Sequence, residues 1–101
     1  MFYVYILRSE KFPRQIYKGF STDLKERLKR HNAGESLYTN KYRPWKLIFY
    51  AAFENKETAK NFEKYLKSAS GIAFLRKRLI KQSKNDVSGN KYKSIKKKLL
   101  R

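Results

Sequence analysis

The chain has 101 residues and a mass of 12.2 kDa, the size of one domain, since single cores typically span roughly 100–150 residues. Lys and Arg number 26 against 8 Asp and Glu, a net charge of +18, which argues against acid-rich calcium sites and cationic substrates and points to an anionic partner, nucleic acid first. With no cysteine and one histidine, disulfides, thiolate metal sites, thiol nucleophiles and multi-histidine metal centres are excluded.

The segment from Phe2 to Leu7, Phe-Tyr-Val-Tyr-Ile-Leu, is aromatic and β-branched and predicts a strand. Residues 8–14, polar around Pro13, read as a turn, and 15–20 as a second strand, so the chain opens on a hairpin. Starting directly in a β-like segment, it has no basic leader and no small-residue cleavage site. Its apolar runs are far shorter than the roughly 20 residues of a membrane span. The expectation is a soluble, cytoplasmic protein. Ser21-Thr22-Asp23 offers caps for a helix in which Leu24, Leu28 and His31 recur at helical spacing, with Gly34 as its stop.

Residues 35–43 are polar and precede Pro44, which predicts a loop. Residues 45–53 predict a mostly apolar strand, expected to be the central or best-buried one. Asn55 can cap a helix over 56–68, with Ala59, Phe62 and Leu66 on one face. Gly71 is expected to break it, and 72–81 to form a short third helix with Ile72, Leu75, Leu79 and Ile80 turned inward. The domain therefore spans 1–81, and 82–101 is a basic tail of net charge +6, either frayed or partly helical through Tyr92, Ile95, Leu99 and Leu100. The order β-β-α-β-α-α predicts an α+β fold, a small, mostly antiparallel three-stranded sheet flanked by helices.

The densest basic run, Lys25, Arg27, Lys29 and Arg30, lies on the first helix, with Lys41 and Arg43 further on. Any one such cluster is as readily a solvated face as a phosphate contact. The global excess tips the reading to nucleic-acid binding that is strongly salt-dependent and largely indifferent to sequence. Tyr3 and Tyr5 share a face of the first strand; such tyrosines serve packing first, base stacking second. At about 100° per residue, Arg27 and His31 stand about 40° apart, both bordering the face that packs on the sheet. Glu63 falls about 40° from Ala59, again at the edge of a buried face. It reads as a salt-bridge partner or as a ligand for a hard divalent ion.

Tyr3-Val4-Tyr5, Tyr17-Lys18-Gly19, the run Ser21 to Leu28, His31-Asn32, Pro44-Trp45-Lys46-Leu47 and Phe62 to Ser68 together resemble the GIY-YIG nuclease superfamily, most closely its small stand-alone bacterial proteins of UvrC-like or YhbQ-like type. The resemblance covers roughly residues 2 to 80. It implies a divalent-metal-dependent endonuclease acting on DNA, in repair or on structured substrates. Tyr5 and Tyr17 would close and open the two motifs, Arg27 would contact the scissile phosphate, and His31 would be the second polar group on the same helix. Glu63 would be the single carboxylate ligand of Mg2+ or Mn2+. Either tyrosine, or His31 as a relay, could take the proton from the attacking water. Lys25, Lys29, Arg30, Lys41 and Arg43 would bind the nucleic acid. Lys18 stands where an aliphatic residue is usual, and Phe20 where some relatives have lysine. The alternative is a non-catalytic basic DNA- or RNA-binding module on the same fold. Nothing indicates an obligate protein partner, and membrane attachment through 91–101 is the weakest reading.

Overall fold

A computed structural model describes residues 1–81; the tail proposed over 82–101 lies outside the described residues. Three strands, β1 (Phe2–Ser9), β2 (Ile16–Ser21) and β3 (Trp45–Phe53), form one antiparallel sheet in the order β2-β1-β3. The helices are α1 (Leu24–Asn32), α2 (Leu37–Asn40), α3 (Lys56–Leu66) and α4 (Ala69–Phe74), the last running into a π-type turn, Leu75–Leu79. This is the expected α+β architecture. Among the described residues no helix is long and apolar enough to cross a membrane.

Two expectations about the strands meet different outcomes. The opening hairpin forms, with Tyr5 opposite Gly19 and Leu7 opposite Tyr17. The third strand, expected at the centre, lies at an edge; β1 is paired on both sides. The reason is two-sided burial. Val4, Tyr5, Ile6 and Leu7 are consecutive and at most 1% exposed, as a strand covered on both faces must be. In β3 only Trp45 is fully buried, while Lys46, Tyr50 and Ala52 face solvent.

Alternation along β1 then divides the interior. Val4 and Ile6 pack with Ala59 and Leu66 of α3 and with Leu75. Tyr5 and Leu7 point the other way, to Trp45 and to Leu24 and Leu28 of α1. Helices therefore cover both faces, and the alternation along β1 decides which side chains meet α1.

The helix ends follow their caps. Asp23 accepts from the Glu26 N–H at 3.1 Å and Asn55 from the Thr58 N–H at 3.0 Å, each satisfying a donor that the helix leaves unpaired. Gly34 has φ +81° just beyond α1, the expected stop. Gly71 does not break a helix, however; it lies inside α4, which Ser68 caps. A Cβ at Gly71 would run into the Tyr65 carbonyl, so glycine is required here for close approach to the end of α3. Residues 35–43 are not all loop, since α2 makes one turn with Leu37 91% exposed and Thr39 fully buried. Four residues are too few to show a period, and here the apolar side chain is outside and the polar one inside.

Candidate active site

The burial of Thr39 has a purpose at His31. From the last turn of α1, His31 is 4% exposed. Its Nε2 lies 2.9 Å from the Tyr5 hydroxyl and its Nδ1 3.0 Å from the Thr39 hydroxyl. Thr39 is itself held by its carbonyl, which accepts from the Trp45 indole N–H at 2.7 Å. The Tyr17 ring meets the imidazole edge-on, with centroids 4.8 Å apart. α2 thereby places one hydroxyl against the far side of a buried histidine. Nothing in the hydropathy pattern singles out Thr39, whose signal would have been a short polar segment following a helix that ends in histidine.

Gly19 makes the opposite side of this arrangement possible. It faces Tyr5 across the hairpin, and a Cβ there would collide with the Tyr5 hydroxyl. The glycine of the second motif is thus needed for room beside the phenol.

Burial sets the protonation states. The Tyr5 hydroxyl is pushed up to about 12, first by burial and then by the neighbouring Tyr17, with Glu63 adding to the rise; Arg27 opposes this through its charge and a hydrogen bond. His31 is held below the ordinary histidine range by burial and by the Arg27 charge, so the imidazole is neutral at neutral pH. Its two nitrogens are then one donor and one acceptor, matched by two hydroxyls able to act as either.

Tyr17, Arg27 and His31 line one wall of a cleft of about 270 Å³, completed by Arg30, Glu35 and Ser36. Tyr5 lies behind His31 and does not reach this lining. Of the five residues singled out for chemistry, four are therefore brought together. Glu63 is on α3, and its influence on Tyr5 is through its charge. Its side chain is 18% exposed and paired to Lys67 Nζ at 3.0 Å. Lys18, on the strand face away from Tyr17, is half-buried and held below the usual lysine range by burial and by the charges of Lys67 and Arg76. Lys60 Nζ sits 4.5 Å over the Phe20 ring, so a cation stands beside position 20 although the sequence has none there.

Among the described residues no group of three or more His, Cys, Asp or Glu is gathered as a metal cage. A lone carboxylate suits Mg2+ or Mn2+ nonetheless, because such ions keep several waters and take the remaining oxygens from substrate phosphate. Glu63 is a hard oxygen donor of that kind, once Lys67 is displaced.

The five predicted phosphate contacts divide. Lys25, Lys29 and Arg30 line a larger open hollow of about 770 Å³ on the other flank of α1, which contains none of the tyrosines. The smaller cleft is the one lined by Tyr17, Arg27 and His31. Arg30 borders both and is drawn toward Glu26 at 3.5 Å and Glu35 at 3.9 Å. Arg43 donates to the Asn32 carbonyl at 3.2 Å, tying the approach to β3 to the end of α1, while Lys41 is exposed.

The chain belongs to the GIY-YIG family of nuclease domains: the model of the GIY-YIG catalytic domain matches residues 1–78. Nucleic acid is accordingly its class of substrate. Among curated relatives, UPF0213 proteins of Streptococcus pyogenes serotype M3 and serotype M1 are each 41% identical over 66 residues, 64% of this chain and 70% of the relative. The solution NMR structure of a UPF0213 protein from Bacillus halodurans shares 34% identity over 74% of this chain and 82% of that one, with a TM-score of 0.45.

Proposed function

We propose that this domain is a divalent-metal-dependent endonuclease that hydrolyses DNA phosphodiester bonds, in repair or in the processing of structured DNA. The observation that carries the reading is the cleft in which Tyr17, Arg27 and His31 meet. Arg27 presents a planar fork of donors to the phosphate oxygens, where negative charge builds as water attacks in line. Tyr17 is the tyrosine that meets this water, because it lines the cleft and Tyr5 does not. Tyr5, kept protonated by burial, fixes His31, and His31 in turn fixes the Tyr17 ring it touches. As the new P–O bond forms, the Tyr17 hydroxyl takes the water's proton while passing its own to solvent, the bond to the 3′-oxygen breaks, and solvent protonates the leaving oxygen. Glu63 would hold Mg2+ or Mn2+; when bound, the ion would polarise the phosphate and stabilise the leaving oxygen.

The Glu63–Lys67 ion pair favours the second reading, a basic DNA- or RNA-binding module without catalysis, since it satisfies the carboxylate without a metal. Purified protein incubated with linear, nicked and branched DNA separates the two. Metal-dependent cleavage abolished by Glu63→Ala and Arg27→Ala is the expected result. Cleavage indifferent to Glu63→Ala removes the metal ligand, and no cleavage of any substrate favours the binding module.

A further inference from the structure

An unbroken series of aromatic rings runs away from the cleft wall. Tyr17 lies 6.1 Å, centroid to centroid, from Tyr38; Tyr38 lies 5.6 Å from Tyr42; and Tyr42 lies 5.7 Å from Phe12. Tyr38 and Phe12 are about half exposed, and Leu37, next to Tyr38 in the chain, is almost wholly so. Single exposed apolar side chains are ordinary, whereas a contiguous strip of them marks a binding surface.

The strip is also built to hold its shape. Phe12 is on the β1–β2 connection and Tyr42 on the connection from α2 to β3, two segments joined through Ser9. The buried Ser9 hydroxyl donates to the Tyr42 carbonyl at 2.6 Å and accepts from the Phe12 N–H at 3.0 Å. A second tie, from the Glu10 N–H to the Pro44 carbonyl at 2.9 Å, links the same connections. Rings fixed before binding lose little freedom when a ligand arrives.

The surroundings specify the ligand. Lys11 and Arg14 flank Phe12 in sequence, and Lys41 and Arg43 flank Tyr42; all four are exposed. Cations around flat rings suit a strand with a charged backbone and exposed base faces. Paired duplex bases hide those faces, and unpaired bases offer them. From the ring series, the Ser9 clamp and this charge, we infer that Tyr38, Leu37 and Phe12 form a stacking surface for unpaired bases of the strand entering the cleft. The substrate is then a nucleic acid that is single-stranded beside the scissile phosphate. This rests on reading the cleft as the nuclease site, but binding alone can test it.

The test compares fluorescence anisotropy of the full chain with a labelled single-stranded DNA of about 12 nucleotides and with the matching duplex, across a salt series. Tyr38→Ala and Leu37→Ala are expected to weaken single-strand binding roughly 5- to 100-fold for Tyr38 and less for Leu37. Duplex affinity and the salt dependence should be unchanged, and Tyr38→Phe should bind as the parent does. Lys41→Ala should instead flatten the salt dependence by about one phosphate contact. Equal losses on duplex and single strand, or no loss in either variant, would overturn the proposal. Sedimentation showing a dimer abolished by Leu37→Ala would also overturn it, assigning the strip to a second copy. Tyr38-dependent single-strand binding without cleavage of any DNA would remove the nuclease reading and leave the strip standing. Cleavage unaffected by Tyr38→Ala would remove the strip alone.

Discussion

The Tyr5 hydroxyl and His31 Nε2 are 26 residues apart in sequence and 2.9 Å apart in space, in the interior of the protein. The pair joins the central strand to the last turn of α1, and burial there shifts the protonation of both residues. Tyr5 keeps its proton to about pH 12, whereas an unfolded tyrosine releases it near pH 10. Between those values the unfolded chain binds fewer protons than the folded one, so stability falls as pH rises through this window. Spectrophotometric titration of the eight tyrosines should show one ionising last, accompanied by loss of structure, and Tyr5→Phe should remove that component.

His31 has the opposite sign. Its folded pKa is depressed, so the unfolded chain takes up a proton first as pH falls below about 6.5. Stability should decline on acidification from that point, and urea titrations at a series of pH values should show a shallower decline in His31→Gln.

Thr39 is a positioning residue for His31. Thr39→Val keeps the shape and removes the hydroxyl that meets Nδ1, leaving a buried ring nitrogen unpaired at a cost of about 1–3 kcal/mol. If the cleft is catalytic, kcat should fall about tenfold or more with KM little changed, the pH profile should shift, and Thr39→Ser should restore both. A Thr39→Val enzyme with the parent pH profile would assign the residue to packing alone.

Lys67 competes with any cation for Glu63. Removing it by Lys67→Ala should tighten Mn2+ binding, measured calorimetrically without DNA, by up to about fivefold, the worth of a partly exposed ion pair of about 1 kcal/mol. Glu63→Ala should abolish the binding heat. Unchanged Mn2+ affinity in Lys67→Ala would show that the ion binds elsewhere.

At Gly71 there is no space for even a methyl group, because the Tyr65 carbonyl occupies the position. Gly71→Ala should destabilise the fold by about 1–3 kcal/mol, read from the urea midpoint, without altering the cleft residues.

The parts of this molecule that were legible in sequence are those with a local physical signature. Asp23 and Asn55 are caps that act within three residues, and both helices begin where these side chains say. The aromatic and β-branched content of Phe2 to Leu7 predicts a strand, but a continuous apolar run says nothing of how many neighbours the strand has, and β1 rather than β3 is central. The angular position of Arg27 and His31 on α1 placed them at a buried edge, and His31 is there. What could not be read were relationships set by tertiary contact. Thr39 is a polar residue in a polar stretch until His31 packs on it, Gly71 is a helix breaker until α3 lies against it, and Tyr5 and Tyr17 are equivalent motif tyrosines until burial takes one out of the cleft.

The register of the sheet has a kinetic consequence. Tyr5 and Gly19 pair within a tight hairpin, while Phe2 pairs with Phe53 across half the chain. Closing the larger loop loses more chain entropy before any contact repays it, so the hairpin, with Tyr5 and Tyr17 already side by side, should form first and β3 should dock late. Destabilising substitutions in the hairpin would then slow folding, and those in β3 would chiefly speed unfolding. In that order of events two tyrosines wait, correctly spaced, for the helix that brings them their histidine.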